Sequence, residues 1–250
     1  MVSDEGQEGG RDLKVDSNIL ITIFKEFEAL TIFETTIKPV DGGWEFYTMD
    51  PSRTSIVKAY IKPEAFEGGS TLENDVEVSV PFMLDVLQKD KTCDISFDDS
   101  YITVKYDRSK RTKRISVPLE DGPRPIPKLE GLSTTIVMSD DLIDIAKQSC
   151  FSNIITETGG ITVRMTETGL TFESKSEVES AEMSVEGTTV LEDGEQSAAF
   201  AIKLLPPILK LLPKGLMITL SMKTDFPIHV SINEDTYSMD AYVAPLIPTE

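Results

Sequence analysis

Alternating apolar and polar residues dominate the chain and predict β-strands along most of its length. The segments "SIVKAYI" (55–61) and "YITVKY" (101–106) are examples, rich in β-branched and aromatic residues. Four other stretches place their apolar residues three or four positions apart, which is typical of short amphipathic helices. The predicted helices cover residues 17–30, 81–91, 140–151 and 204–215. We therefore expect an α+β protein with many strands and four helices.

The order of these elements in the first half of the chain returns in the second half. Each half contains a predicted helix, a group of strands, a second helix and three last strands. The segments "GWEF" (43–46) and "GLTF" (169–172) mark the same point in the two halves. Such self-similarity indicates two copies of one supersecondary unit.

A proline-rich segment separates the two halves. Pro123, Pro125 and Pro127 occupy alternate positions, and each proline fixes φ and removes a backbone donor, so neither a helix nor a central strand can continue there. We predict an extended connection between two domains. The predicted organisation is an acidic, flexible N-terminal tail at 1–11, a first domain at 12–118, a connecting loop at 119–133 and a second domain at 134–250.

Composition adds a strong negative charge to this picture. The 250 residues include 24 Lys and Arg against 43 Asp and Glu, a net charge of −19, whereas proteins that bind nucleic acid usually carry a basic patch. The N-terminus does not resemble a signal peptide, and no apolar run approaches the ~20 residues of a membrane span. Cys93 and Cys150 predict buried thiols rather than a disulfide framework. We expect a cytoplasmic protein with no membrane partner.

Residues that could carry catalysis are scarce. The only histidine, His229, lies in a predicted strand without a Ser/Asp constellation around it, and such a histidine is more often structural than catalytic. The sequence contains neither a glycine-rich phosphate loop nor the Cys/His spacing of a metal site. The acidic turns at 98–100 and 192–194 predict solvated loops. We expect no enzyme activity, no cofactor and no metal.

Four short motifs along the chain carry a resemblance to a known family. They are "YTMDPSR" (47–53), "IPKLEG" (126–131), "FP" (226–227) and "YVAPLI" (242–247). Together with the order of elements over residues 12–250, they resemble the archaeal and eukaryotic sliding clamps of the proliferating cell nuclear antigen family. The chain departs from that family in its longer N-terminal tail, in Arg124, in the Pro206–Pro207 pair and in Leu246.

This resemblance implies two similar DNA-clamp domains per subunit and a ring of three subunits. Antiparallel sheets would lie outside, and the four helices would line a hole that encircles double-stranded DNA. Lysines directed into the hole would face phosphates without reading bases. On the predicted helices and their ends seven basic residues balance seven acidic ones, so the net charge of −19 belongs to the rest of the chain. The predicted DNA-facing residues are Lys25, Lys89, Lys91, Lys147, Lys203, Lys210 and Lys214.

The resemblance also implies a pocket for short peptides of partner proteins, between the connecting loop and the C-terminal tail. The prolines would keep the loop extended and so lower the entropy lost on binding. The expected partners are a DNA polymerase, a clamp-loader ATPase, a flap endonuclease and a DNA ligase, at the nucleoid of an archaeal cell. The predicted pocket residues are Met49, Arg53, Thr54, Ile126, Pro127, Phe226, Pro227, Tyr242, Val243, Ala244, Pro245 and Leu246.

In the resembled family two strands join neighbouring subunits, and here they carry opposite charges. The segment at 108–118 is basic and the segment at 173–187 is acidic, which would favour head-to-tail pairing. The predicted interface residues are Arg108, Lys110, Arg111, Lys113, Ile115, Val117, Glu177, Glu179, Glu182, Met183 and Val185. The sequence leaves two alternatives, a specialised subunit of a heterotrimeric clamp and an acidic protein-binding scaffold that does not bind DNA.

Overall fold

The computed structural model describes residues 13–68, 72–98, 100–116, 129–148, 160–175 and 180–246. Their helices are α1 (Ser17–Ala29), α2 (Val80–Val86), α3 (Ser139–Lys147) and α4 (Leu205–Leu211). The first half contains the strands β1 (Leu13–Asp16), β2 (Glu34–Val40), β3 (Gly43–Met49), β4 (Ser55–Ile61), β5 (Phe66–Glu67), β6 (Val76–Ser79), β7 (Thr92–Phe97), β8 (Tyr101–Tyr106) and β9 (Ser109–Arg114). The second half contains β10 (Ser133–Met138), β11 (Gly160–Thr166), β12 (Gly169–Lys175), β13 (Ser180–Glu186), β14 (Thr188–Val190), β15 (Gln196–Ala201), β16 (Met217–Met222), β17 (Ile228–Asn233) and β18 (Tyr237–Val243).

The two halves share one order of elements, so each strand of the first half has a counterpart in the second. In both, one strand precedes the first helix, and five strands separate the first helix from the second. The predicted α+β class with antiparallel sheets and four helices is confirmed. The boundary between the first domain and the connecting loop lies outside the described residues, so the domain limits stay a prediction.

The strands form three antiparallel sheets. One has the order β5-β1-β7-β8-β9 and another the order β13-β12-β11-β15. The third has nine strands in the order β14-β10-β16-β17-β18-β4-β3-β2-β6. Its first five strands are the counterparts of the five-stranded sheet, and its last four are the counterparts of the four-stranded sheet. The pairing of β18 with β4 therefore joins the two halves into one sheet.

The helices form a single layer, in which α2 contacts α1, α1 contacts α4, and α4 contacts α3. Each helix buries its apolar face against the sheets; on α1 the rings of Phe24 and Phe27 meet Phe46 of β3 at 5.7 and 6.1 Å. Asp16 caps α1 by accepting a hydrogen bond from the backbone N–H of Asn18 at 2.8 Å. None of the described helices has the length and apolarity that crossing a membrane requires.

Three of the helices are shorter than the sequence predicts. Helix α2 ends at Val86 because Leu87 adopts an extended backbone with ψ of 134°. In the same way Gln148 follows α3 with ψ of 135°, and Leu212 follows α4 with ψ of 136°. Pro213 follows at once, where no helix could continue. The described residues just beyond these ends lie outside the helices, which matters for three of the predicted DNA-facing lysines.

The repeated "GWEF" and "GLTF" motifs have a steric cause. Gly43 begins β3 and Gly169 begins its counterpart β12. A Cβ atom on Gly43 would lie 2.3 Å from the carbonyl oxygen of Ile61, and one on Gly169 would lie 2.0 Å from that of Val185. No side chain fits at such distances, so both hairpins require glycine where the neighbouring strand approaches closely.

Candidate functional site

Half-buried side chains of four adjacent strands form a row across the outer face of the nine-stranded sheet. Met49 of β3 pairs with Ile56 of β4, Ile56 pairs with Tyr242 of β18, and Tyr242 pairs with His229 of β17. We call these four residues the aromatic row, after its two stacked rings, Tyr242 and His229. Each alternates with buried residues of its strand, so the four project away from the core on the same face. Two of them, Met49 and Tyr242, belong to the predicted peptide pocket.

Asp50 organises the turn that follows Met49. Its carboxylate is 4% exposed and accepts hydrogen bonds from the backbone N–H of Ser52 at 2.9 Å and of Thr54 at 2.7 Å. The hydroxyl of Ser55 donates to it at 3.0 Å. Arg53 lies in this turn with φ of 60° and is exposed. The "MDPSR" motif is thus a rigid turn that presents Arg53 and Thr54 at one end of the sheet.

The C-terminal residues of the predicted pocket meet this turn. The backbone N–H of Ala244 donates to the carbonyl of Thr54 at 2.7 Å. Pro245 forms an isolated antiparallel β-bridge with Phe200 of β15. Leu246 is half-buried, and its N–H donates to Ala199 at 2.7 Å. The sheet register brings the exposed Phe226 and the half-buried Pro227 to the same end, because the next residue, Ile228, pairs with Val243.

One predicted pocket residue is corrected, and two lie outside the described residues. The prediction that Val243 lines the pocket is wrong, because Val243 is 0% exposed and points into the core. Its neighbours Tyr242 and Ala244 point the other way, as strand alternation requires. Ile126 and Pro127 lie in the part of the chain that the structure does not describe.

His229 and Ile56 complete the aromatic row, and the sequence prediction missed both. The His229 ring lies parallel to the Tyr242 ring, with centroids 4.4 Å apart and an interplanar angle of 2°. Its Nε2 lies 2.8 Å from Oδ1 of Asp240. Because an ionised carboxylate only accepts hydrogen bonds, Nε2 carries the proton and donates it. The place of His229 and Ile56 in the site follows from the pairing register of the strands, which the sequence alone does not give.

Two pKa shifts describe the electrostatics of this region. Burial alone would raise the pKa of Asp240, but hydrogen bonds from His229 and Ser231 and the positive charges of His229 and Lys58 lower it below its usual range. Burial raises the pKa of Tyr242 to about 12, and negative charge on Asp240 and Tyr47 adds to this effect. The neutral phenol of Tyr242 in the row therefore lies near the ionised carboxylate of Asp240, which is outside the row.

Among the strands of the described residues, the predicted interface strands are the unpaired edges of two sheets. β9 ends the five-stranded sheet, β13 ends the four-stranded sheet, and all six residues of β9 are exposed. Lys110, Arg111 and Lys113 project from β9, and Arg108 is exposed in the turn before it. Arg111 donates to Asp85 of α2 at 2.9 Å. The Lys113 ammonium lies 5.5 Å from the ring centroid of Phe82.

On β13 exposed positions alternate with half-buried ones and one buried residue. Glu182 is exposed and Met183 is half-buried, and Ile115, just beyond β9, packs against the core. Val185 is only 6% exposed; the prediction that it contributes an apolar contact to a neighbouring subunit is wrong, because its side chain is already covered within the chain. Val117, Glu177 and Glu179 lie outside the described residues.

All seven predicted DNA-facing lysines are exposed, but the structure corrects their placement. Only Lys25, Lys147 and Lys210 lie on helices, whereas three of the other four follow a helix that ends early and one precedes a helix. Those four are Lys89, Lys91, Lys203 and Lys214. Within the helices three lysines stand against six acidic residues. The helices themselves are therefore acidic, and the predicted neutral balance depends on the loops at their ends.

Sites for metal or thiol chemistry are not apparent in the described ranges. No three His, Cys, Asp or Glu side chains there are grouped to hold a metal ion. Cys93 is buried, and burial raises the pKa of its thiol, which makes a thiolate nucleophile unfavourable. Cys150 lies beyond the described residues.

Comparison with solved structures identifies the fold. The chain superposes on A. fulgidus PCNA bound to the C-terminal region of FEN-1 with a TM-score of 0.83 and 19% identity, covering 96% of this chain and 99% of that one. For PCNA from Entamoeba histolytica the TM-score is 0.79 and the sequence identity 18%, and the match covers 94% of this chain and 98% of that one. For PCNA from Thermococcus kodakaraensis the TM-score is 0.78 and the sequence identity 15%, and the match covers 94% of this chain and 100% of that one. No family model and no curated protein sequence matches the chain. The chain has the two-domain fold of these PCNA structures.

Proposed function

We propose that the chain is a DNA sliding clamp, a ring of three copies that encircles duplex DNA and tethers replication and repair proteins. The PCNA fold supports this proposal, and one feature of the sheets carries it. The two unpaired edges, β9 and β13, are the counterparts of β18 and β4, the two strands that pair within the chain. β9 of one copy could therefore pair with β13 of a second copy in the same way that β18 pairs with β4 within the chain.

The internal junction also gives the register of the proposed contact. Asp240 of β18 pairs with Lys58 of β4. Equivalent pairs align the two halves: Ile95 with Val104 matches Leu220 with Val230, and Phe46 with Ala59 matches Phe172 with Met183. In this alignment Lys110 is the counterpart of Asp240, and Glu182 of β13 is the counterpart of Lys58. Lys110 of one copy would therefore lie opposite Glu182 of the next, within the short distance across which cross-strand charges attract. The charges are reversed relative to the internal pair.

The single layer of helices supports the second part of the proposal. Closing three copies would turn this layer towards a common hole, with the exposed Lys25, Lys147 and Lys210 facing the phosphates. The four lysines beside the helix ends would add to them. Because the helices also carry acidic residues, the contacts would be weak and independent of sequence, as sliding requires. The clamp itself would perform no catalysis.

For partner binding we propose the end of the nine-stranded sheet that carries Met49, Thr54, Tyr242, Ala244 and the Phe226–Pro227 turn. A. fulgidus PCNA, whose fold the chain shares, has been solved with the C-terminal region of FEN-1 bound. The half-buried aromatic row suits the apolar anchors of such a peptide. Ile126 and Pro127 of the connecting loop, between domains at 12–118 and 134–250, would complete the pocket.

Two measurements test this proposal. Sedimentation equilibrium should give three times the 27.7 kDa chain mass, and addition of the chain with a clamp-loader ATPase should lengthen the products of a family-B DNA polymerase on primed DNA. A monomer that assembles only with a related chain would indicate a heterotrimeric clamp. A monomer that neither assembles with a related chain nor lengthens the polymerase products would indicate a protein-binding scaffold. Trimers that leave product length unchanged would contradict the replication role.

A further inference from the structure

The geometry of the aromatic row points to His229 as a positioning residue of the partner site. We infer that its imidazole, held by Asp240, fixes the orientation of the Tyr242 ring that a partner peptide contacts. This inference rests on the proposed function, since it assigns a role within the proposed peptide site. The peptide chemistry in question is an extended segment with apolar and aromatic anchors.

The stacking geometry carries the first step. A tyrosine on a β-strand commonly adopts two χ1 rotamers, so its ring can lean either way along the sheet. The His229 ring covers one face of Tyr242 at a centroid distance of 4.4 Å and an angle of 2°. Ile56 flanks Tyr242 on the other neighbouring strand. A single ring orientation is thus selected before any partner arrives.

The hydrogen bond to Asp240 carries the second step. Asp240 lies two residues before Tyr242 on the same face of β18, and its Oδ1 accepts from His229 Nε2 at 2.8 Å. Asp240 is held in turn, because a hydrogen bond from Ser231 and the charge of Lys58 contribute to keeping it ionised. The imidazole therefore has two fixed contacts, one with the carboxylate and one with the phenol ring. A side chain that is already fixed loses less conformational entropy when the peptide binds.

The test compares His229→Ala, His229→Gln and His229→Phe in full-length trimers. The probe is a synthetic peptide with the pattern Gln-x-x-apolar-x-x-aromatic-aromatic, and its affinity is measured by calorimetry. His229→Ala and His229→Gln should each weaken binding about two- to tenfold, because both lose the stacked ring, whereas His229→Phe, which keeps a ring but loses the hydrogen bond to Asp240, should lose less affinity than either. Thr219→Ala, on the same face two strands from Tyr242, should bind like the wild type.

Two readouts separate positioning from general damage. In a Tyr242→Ala background, His229→Ala should cause no further loss, since the histidine acts through the tyrosine. In NMR spectra of chains with labelled tyrosine rings, the Tyr242 resonance, assigned with Tyr242→Phe, should lose its ring-current shift in His229→Ala and keep it in His229→Phe. Thermal unfolding of each variant checks that the chain is folded.

The outcomes distinguish this inference from the proposed function. If the wild type binds the peptide and all His229 variants bind equally well, the positioning role is overturned while the clamp proposal stands. If His229→Ala weakens binding as much in the Tyr242→Ala background, His229 does not act through Tyr242, and the inference is again overturned. A wild-type trimer that binds no such peptide would overturn both the inference and the partner site on which it rests.

Discussion

The junction between β18 and β4 and the free edges β9 and β13 are built from counterpart strands, yet they differ in chemistry. In both junction strands, buried residues alternate with half-buried ones. All six residues of β9 are exposed, and β13 buries only Val185. The same backbone plan therefore gives one pair of strands joined through apolar contacts and another pair that lies at the edges of two different sheets and carries exposed charges.

This difference has a physical reason. The strands of the junction belong to one chain, so they find each other without competition and can be apolar. A free edge exposes unpaired N–H and C=O groups to any other chain, and charged side chains on such edges oppose unwanted pairing. Basic residues on β9 and the acidic Glu182 on β13 would discourage like edges from meeting while permitting unlike ones.

The first prediction compares one buried position of the junction with its counterpart on the free edge. Val57 of β4 is 0% exposed, and its counterpart on β13, Ala181, is half-buried. We expect Val57→Asp to lower the free energy of unfolding by at least about 4 kcal/mol, because it buries an unpaired charge and removes apolar contacts. Ala181→Asp should cost less than about 1 kcal/mol in the monomer. Urea unfolding measures both, and equal losses would contradict the comparison.

The second prediction concerns association through the edges. Lys110, Arg111 and Lys113 of β9 changed together to glutamate should give a monomer by light scattering, because several attractions become repulsions. Changing Glu177, Glu179 and Glu182 to lysine in the same chain should restore trimers. The unfolding midpoint serves as the control, since Arg111 also binds Asp85 within the chain at 2.9 Å. A triple variant that stays trimeric at low concentration would exclude charge pairing as the basis of closure.

The sequence was sufficient for the fold where local chemistry decides it. Alternation identified the strands, and the pair Gly43 and Gly169 located the repeat, because the close approach of the next strand excludes any side chain. The ends of α2 and α3 were predicted too late, because the backbone becomes extended at Leu87 and Gln148. The spacing of apolar residues along the sequence does not mark that change.

The candidate site was only partly predictable for a related reason. Met49 and Tyr242 lie in motifs that can be read directly, but the place of His229 in the site follows only from its pairing with Tyr242 of the adjacent strand. Val243 was assigned to the pocket as part of a continuous run of residues, although strand alternation turns it into the core. Pairing register is a long-range property, so single-sequence patterns leave it open.

The third prediction concerns a buried carboxyl beneath the junction. Glu26 of α1 is 1% exposed, and neither of its oxygens accepts a hydrogen bond from a described residue. Burial raises its pKa well above the usual range. Its charge would also reach Tyr237 of β18, whose pKa is raised to about 12 by burial first and by Glu234 and Glu26 in addition. The folded chain therefore holds Glu26 in its neutral form more readily than the unfolded chain does.

The sign of the pH dependence follows from that raised pKa. The contribution to stability is complete below the carboxyl's unfolded pKa and is lost as the pH rises through the folded pKa. Glu26→Met, similar in shape and without charge, should therefore stabilise the chain by about 1 to 3 kcal/mol. The gain should be larger near pH 8 than near about pH 5. Glu28→Met, at an exposed position of the same helix, is the control. A gain independent of pH would show that Glu26 does not titrate as argued.

The last prediction tests the register of the edges and has the smallest effect. In the proposed trimer, the internal pair of Asp240 with Lys58 predicts that Lys110 of one copy would lie opposite Glu182 of the next. Exposed pairs contribute only about 0 to 1 kcal/mol, so Lys110→Glu alone should weaken trimers a few-fold, with a similar loss for Glu182→Lys. Combining the two should recover most of the loss, because the reversed charges again attract. Sedimentation over a dilution series measures each assembly constant.

A second combination makes the register test specific. Lys110→Glu together with Glu186→Lys carries the same net charge as the first combination and changes a residue on the same face of β13. Glu186 lies four residues from Glu182, about 13 Å along a strand, which is too far for direct contact with position 110. Recovery with Glu182→Lys but not with Glu186→Lys would support the register taken from β18 and β4. Equal recovery would mean that only the overall charge of the edges matters, and that the internal junction does not set the alignment of the copies.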